Sequence, residues 1–218
     1  MTLTGCSPDR LDYDGSADRV EGLGPGLRVA MWVRGCRRRC PGCIAPELWD
    51  PGRPTPLDEV VAELRGPLRS SPRLTVTGGE PFLQAEALSS LIDGLRRELP
   101  VEVLVYSGFL LEELRAGPDP WQQLLARTDI LVDGPYREDE PNTMAWRGSD
   151  NQRVHLLTTR VEHLAPLSTA PMPEPRPMAV RMLSPLSYRL VGIPRRGDLL
   201  ALRQILSGRG LEVVNRRE

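Results

Sequence analysis

The sequence predicts an α/β protein, a parallel sheet with right-handed crossovers, and three observations carry that prediction. Short apolar strand-like runs alternate with amphipathic helical stretches between Leu27 and Leu157. The cysteine-rich and glycine-rich stretches fall at the C-terminal ends of those runs, where α/β sheets gather their sites. The units are too few for a complete eight-fold barrel, and a partial, open (βα) barrel fits their count. A chain of 218 residues buries one good core and a small appendage.

Taken in order, residues 1–21 are polar, rich in Asp and Gly and without a sustained period, so they read as a loosely held leader. Gly22 to Gly26 places three glycines and a proline before the first strand, Leu27 to Val33, whose β-branched and aromatic content suits burial. Asp50 to Pro56 is a turn-rich connector, and Pro56 opens a helix of about Leu57 to Arg65 with Val60, Val61 and Leu64 on one face. Pro67 to Pro72 breaks that pattern. Leu74 to Thr77 is the next strand and runs into Gly78-Gly79-Glu80-Pro81. Gln84 to Leu99 is a long amphipathic helix, with Ala87, Leu88, Leu91, Ile92 and Leu95 at helical spacing, and Pro100 ends it. Val101 to Tyr106 is a third strand, Leu110 to Ala116 and Trp121 to Arg127 are helical pieces, Ile130 to Val132 is a fourth strand, and Arg153 to Leu157 a fifth.

These elements define a core over residues 22–158. Residues 159–177 read as a linker, dense in proline from Ala165 to Pro177. Residues 178–218 form a small α+β appendage, with strands near Val180 to Leu183, Tyr188 to Val191 and Leu211 to Val214 and a helix from Asp198 to Ser207. The appendage either docks a partner or covers an open barrel edge.

Chemistry concentrates between Arg34 and Cys43, where three of the four cysteines, Cys36, Cys40 and Cys43, form C-x3-C-x2-C. A structural zinc site and an electron-transfer cluster both use four protein ligands. Three thiolates on a cubane of four irons leave one iron open, and an open position on a metal is where chemistry takes place. Clustered thiols in a chain without an export signal point to a reducing cytoplasm and to metal rather than disulfides. Cys6 reads as a spare thiol; as a fourth ligand it would make the loop a zinc or electron-transfer module without catalysis.

Several neighbours of the loop keep two readings. Arg34, Arg37, Arg38 and Arg39 either stabilise a reduced cluster or form a solvated patch for an acidic partner. The pair Gly78-Gly79 lets the backbone approach a ligand closely, and Glu80 can accept a hydrogen bond from an ammonium group, yet strand-to-helix turns often hold two glycines. Asp133 is either a site carboxylate or a turn residue bonding its own backbone.

Composition removes other classes. The 28 basic and 29 acidic residues nearly cancel, which gives no ground for a nucleic-acid partner. Every basic side chain other than His is Arg, so lysine Schiff-base chemistry is excluded. His155 and His163 are not spaced as a helical His-x3-His pair, and no Gly-x-Ser-x-Gly elbow is present. No run of eighteen apolar residues exists, so nothing spans a membrane as a helix, and the faint lipoprotein-like Leu3-Thr4-Gly5-Cys6 lacks an apolar segment before it.

Six stretches in one order complete the reading: Gly24 to Arg28, the cysteine loop, Thr77 to Pro81, Tyr106-Ser107-Gly108-Phe109, Leu131 to Gly134, and Trp146-Arg147-Gly148-Ser149-Asp150-Asn151-Gln152. Together they resemble the radical S-adenosylmethionine (SAM) superfamily, and within it the activating enzymes of anaerobic ribonucleotide reductase, which are glycyl-radical-enzyme activases. The resemblance implies a partial open (βα) barrel of the radical SAM type and a [4Fe-4S] cluster on Cys36, Cys40 and Cys43 with SAM on the open iron. It implies Gly42, Cys43 and Ile44 beside SAM, Gly79 with Gly78 and Glu80 at its methionine end, and Ser107 at its ribose or adenine. It further implies a 5′-deoxyadenosyl radical, a glycyl radical enzyme as partner, a flavodoxin- or ferredoxin-type electron donor, and neither nucleic acid nor membrane. A peptide or small metabolite is the alternative hydrogen donor. Trp146 to Gln152 is then substrate-facing or barrel-closing.

Overall fold

In the computed structural model, residues 8–184, 187–195 and 197–208 are described. Cys6 and the strand expected at Leu211 to Val214 lie outside the described residues. The elements in chain order are β1 (Arg10–Val20), β2 (Arg28–Val33), β3 (Pro54–Pro56), α1 (Leu57–Ser70), β4 (Arg73–Gly78), α2 (Ala85–Arg96), β5 (Glu102–Tyr106), α3 (Leu111–Arg115), α4 (Asp119–Arg127), β6 (Ile130–Asp133), β7 (Arg153–Leu156), α5 (Ala165–Ser168), β8 (Met178–Ser184), β9 (Ser187–Gly192) and α6 (Asp198–Ser207).

Seven strands form one open sheet in the order β3-β1-β2-β4-β5-β6-β7. Its centre is parallel: β2, β4, β5 and β6 pair in chain order, Val33 opposite Gly78 and Tyr106 opposite Val132. Both flanks are antiparallel, through β1 and β3 on one side and β7 on the other. The architecture is therefore mixed α/β, with no closed barrel among the described residues. All four parallel strands alternate in what they bury. Val29, Met31 and Val33 of β2, Leu74 and Val76 of β4, and Val103 and Val105 of β5 meet α1, α2, α3 and α4 in one apolar layer. The fully buried Leu64, Leu88 and Ile92 lie in that layer, and burying each contributes roughly 1.5–3 kcal/mol. The opposite face presents Ala30 and Trp32, then Leu104, Ile130 and Val132.

Three expectations need correction. The leader is not loose over Arg10–Val20, which is strand β1 against β2. Register shifts at Tyr13/Gly15 and Ala17/Val20 break its period of two, so its apolar residues Leu11, Ala17 and Val20 never alternate in sequence. Helix α1 does not stop before Pro67 but runs to Ser70 with Pro67 inside. Leu64 and Leu68, both fully buried, sit on either side of that proline, and their burial outweighs one lost backbone bond. The proline-rich stretch is no free spacer: it folds into a 3-10 turn at Thr159–Leu164 and helix α5, and Met172 N donates to Thr143 O at 2.6 Å.

The appendage also has a place. Hairpin β8-β9 lays Val191 and Ala179 against Ala17, Val20 and Trp32, covering the sheet face that the helices leave open rather than a sheet edge. Val161 and Leu164 cover the same face over β5 to β7. Among the described residues no helix is long and apolar enough to cross a membrane.

Candidate functional site

The cysteine loop leaves β2 at Val33 and is held by backbone bonds on both sides. Arg34 N donates to Asp12 O at 2.8 Å, Gly35 N to Leu48 O at 2.9 Å and Cys36 N to Trp49 O at 2.7 Å. The turns need left-handed residues, Gly35 at φ 85° and Gly42 at φ 69°, and Arg39 adopts φ 45° against its own preference. Arg34 staples the loop from outside, donating to Asp14 Oδ1 at 2.8 Å and to Glu47 O at 2.6 Å.

Cys36, Cys40 and Cys43 are free thiols, each half-buried. Burial pushes the Cys36 and Cys43 thiols up, against backbone N–H groups that pull them down. A metal that binds them must therefore supply the charge that ionises them, as iron does. Among the described residues no three His, Cys, Asp or Glu side chains converge on a point where a single ion would sit. A cubane asks for a different layout, since each thiolate binds a separate corner. Three free, half-buried sulfurs along one loop suit a cluster better than a mononuclear zinc.

The end of β4 lies directly on this loop. Gly79 N donates to Val33 O at 2.7 Å and Glu80 N to Gly35 O at 2.9 Å. A Cβ on Gly78, itself at φ +109°, would meet Val33 O at 2.4 Å, and one on Gly79 would meet Gly35 O at 2.5 Å. The glycine pair thus admits close approach between β4 and the cysteine loop. Gln84 completes the weld, accepting from Asp12 N at 2.7 Å and donating to Arg34 O at 2.9 Å.

Glu80 faces inward. Its carboxylate accepts from Phe82 N at 3.1 Å, Ser107 Oγ at 2.9 Å and Gly108 N at 2.7 Å, so it ties the end of β4 to the end of β5. Burial raises its pKa to about 7, although these donors and Arg38 oppose the rise. Ser107 is buried too, its hydroxyl donating to Glu80 and accepting from Phe109 N at 3.1 Å. Gly42 and Ile44 are exposed at the loop's outer turn. A Cβ on Gly42 would lie 2.5 Å from the carboxyl carbon of Glu138, which lines a cavity of about 570 Å³ with Pro41, Tyr136, Arg137 and Asp139.

The four arginines divide. Arg34 pairs with Asp14, Arg38 with Glu113 at 3.1 Å and Arg39 with Asp50, while Arg37 stands exposed. The Arg38 stem crosses Gly108, and its guanidinium lies 4.5 Å over Phe109.

Asp133 is a structural carboxylate at the end of β6. It accepts from Leu111 N at 2.6 Å and from Arg153 at 2.5 and 3.0 Å, and His155 Nε2 stands 3.2 Å away, outside hydrogen-bond geometry. Burial would raise it, but His155, Arg153 and the Leu111 N–H hold it well below the usual carboxylate range. The Trp146 to Gln152 stretch bonds mainly to the preceding loop between Gly134 and Ala145 and to itself. Tyr106 OH donates to Trp146 O, Gln152 Nε2 to Gly134 O, and buried Arg147 to Gln152 O and Ser168 O. These contacts tie the stretch to β5, to Gly134 just past β6, and to α5.

Sequence reasoning gave no role to Arg28, Gln84 or Trp49. Arg28 is fully buried and donates to Thr75 Oγ1 at 2.7 Å, Glu102 Oε1 at 2.6 Å and Leu74 O at 2.9 Å. Its place beside Gly24-Pro25-Gly26 was the available signal.

A family described as a 4Fe-4S single cluster domain matches residues 22–155. The anaerobic ribonucleoside-triphosphate reductase-activating protein of Enterobacteria phage T4 is 32% identical over 145 residues, 63% of this chain and 89% of that protein. The protein of the same name from Escherichia coli K12 is 30% identical over 143 residues, 62% of this chain and 91% of its own length. A pyruvate formate-lyase-activating enzyme of Staphylococcus aureus USA300 is 32% identical over 155 residues, 66% of this chain and 61% of that enzyme.

Proposed function

We propose, on the premise that the chain belongs to the radical SAM activase family, with its 4Fe-4S single cluster domain, that it cleaves SAM reductively and installs a glycyl radical on a partner enzyme. Its cofactors are a [4Fe-4S] cluster and SAM. In this reading Cys36, Cys40 and Cys43 hold three corners of the cluster. Gly42, Cys43 and Ile44 border SAM on one side, with Gly78, Gly79, Glu80 and Ser107 on the other. A reduced cluster held by these cysteines would supply one electron for breaking a carbon–sulfur bond of SAM, the chemistry that would end in hydrogen-atom removal from a glycine Cα of the partner.

The chain's own residues prepare that step. Arg34 ties the cysteine loop to Glu47 and Gln84 ties it to the segment after β4, with the three sulfurs half-buried. Glu80 keeps the ends of β4 and β5 at a set spacing through Ser107 and Gly108. The observation that carries the reading is the backbone weld of Glu80 N to Gly35 O beside three free thiols on one loop. Crossovers on a single sheet face, in sequential strand order, support the partial open barrel of the radical SAM type. Anaerobic ribonucleotide reductase is the first candidate partner, because the match spans 89% and 91% of two of its activating proteins but 61% of the pyruvate formate-lyase one. The exposed Arg37 and half-exposed Arg39 beside the loop suit an acidic flavodoxin- or ferredoxin-type donor.

Anaerobic reconstitution should load about four irons per chain, and the reduced protein should then turn SAM into 5′-deoxyadenosine. Cys36→Ala should abolish both. Incubation with a candidate reductase should give the EPR doublet of a glycyl radical, whereas a fully loaded cluster that yields no 5′-deoxyadenosine would overturn the proposal.

A further inference from the structure

The C-terminal hairpin reaches the root of the cysteine loop through one carboxylate. Within β8-β9, Ala179 stands opposite Val191 and Arg181 opposite Arg189. All four turn toward the large sheet: Ala179 and Val191 join the apolar cluster of Ala17, Val20 and Trp32, Arg181 donates to Asp18 O at 2.7 Å, and the Arg189 guanidinium lies 4.6 Å over the Trp32 ring. Two like charges directly opposite each other are unfavourable, and a hairpin that only covered a sheet would carry apolar residues at both places. The two arginines therefore need acceptors on the sheet, and β1 supplies them.

The acceptor for Arg189 exists because β1 is bulged. Tyr13 pairs with Val33 and Gly15 with Trp32, so Asp14 is the extra residue and falls out of the ladder. Released from pairing, Asp14 O accepts from Arg189 Nη2 at 3.0 Å, and the carboxylate is shared between two arginines: Oδ2 accepts from Arg189 Nη2, and Oδ1 accepts from Arg34 Nη1 at 2.8 Å. The side chains of Arg189, Asp14 and Arg34 are 16%, 21% and 25% exposed, so solvent screens these pairs less than open surface pairs. Arg34 also holds Glu47 O at 2.6 Å, and the next two amides, Gly35 N and Cys36 N, close the loop on Leu48 O and Trp49 O. The family match over residues 22–155 contains Arg34 but neither Asp14 nor Arg189.

We propose that Arg189 is a positioning residue for the cysteine loop: through Asp14 it fixes Arg34, and with it the segment that carries Cys36. The C-terminal hairpin is then part of the support of the site and not only a cover for the sheet. What the loop holds rests on the cluster reading given above, whereas the linkage from hairpin to loop stands on the chain's own contacts.

The test follows amide hydrogen exchange by mass spectrometry in the cofactor-free full-length chain, and then iron loss to a chelator from the reconstituted protein. In Arg189→Gln the amides from Arg34 to Cys36 should exchange about tenfold faster, the scale of one lost charge-assisted bond, while those of α2 keep their wild-type rates. Arg189→Lys keeps a cation beside Asp14 and should recover most of the protection. On an Asp14→Asn background, Arg189→Gln should add nothing to loop exchange, because the carboxylate joining the two arginines is gone. Reconstituted Arg189→Gln should lose iron faster than wild type. Unchanged loop exchange, a rise that α2 shares equally, an additive double variant or unchanged iron loss each overturns the inference and leaves the activase reading standing. If the wild-type chain assembles no iron–sulfur cluster, the activase reading falls and the exchange rates still decide the linkage. Should Arg189→Gln fail to fold, Arg34→Gln decides in its place: coupling runs both ways, so β9 must then exchange faster, and unchanged exchange in β9 overturns the inference.

Discussion

Gly79→Ala separates two reasons for a glycine at the end of β4. If the residue is glycine only so that a ligand can come close, the protein without cofactors should not notice a methyl group. The structure gives a different reason, because the added Cβ would stand 2.5 Å from Gly35 O, 2.9 Å from Gly35 C and 3.0 Å from Arg34 C, all backbone atoms. Restoring ordinary contact requires the cysteine loop and β4 to part by about 0.9 Å, an overpacking that costs about 1–3 kcal/mol. The same shift weakens the bonds from Gly79 N to Val33 O and from Glu80 N to Gly35 O, each contributing about 1 kcal/mol. Together they amount to about 2–4 kcal/mol, which lowers Tm by about 5–15 °C in a chain of this size. Thermal unfolding followed by circular dichroism on cofactor-free protein measures that drop, and iron counting after reconstitution measures the effect on the site. A displaced loop should also lower 5′-deoxyadenosine formation by about 10- to 100-fold. An unchanged Tm in the cofactor-free variant would refute the packing argument, whatever happens to activity.

Two further outcomes follow from buried charges. Glu80 has its pKa raised from 4.5 to about 7, so the native state binds a proton that the unfolded chain releases. That contribution to stability is fully present below about pH 4.5 and lost as pH rises through about 7, with a ceiling of about 3 kcal/mol. Urea midpoints at pH 5 and pH 8 should therefore converge in Glu80→Gln relative to wild type, and an unaltered pH slope would count against the buried carboxylate. Arg28→Met should cost about 3–5 kcal/mol, because Glu102 and Leu74 O lose their buried donor. The urea midpoint should fall with the m-value unchanged, and a loss below about 1 kcal/mol would contradict the buried network.

The central elements were legible because their causes are local. Leu27 to Val33, Leu74 to Thr77 and Val101 to Tyr106 are short apolar runs between turn residues, and all three are strands of the parallel centre. The helical period of Ala87, Leu88, Leu91, Ile92 and Leu95 likewise marks the buried face of α2. Strand β1 was hidden because two bulges and the buried Asp12 break its alternation. The proline-rich segment was misleading in the opposite sense: proline prevents regular pairing, but it does not prevent a segment from packing.

Spacing in the chain was enough to set three thiols on one turn-rich loop after a strand, since ten consecutive residues from Arg34 to Cys43 carry that information. Which way Glu80 points and what Gly79 approaches depend on partners 27 and 44 positions away in sequence, at Ser107 and Gly35. A backbone period reports which residues turn toward a core. Only the pairing of β2 with β4 and β5 brings donors and acceptors from separate strands to one end of the sheet.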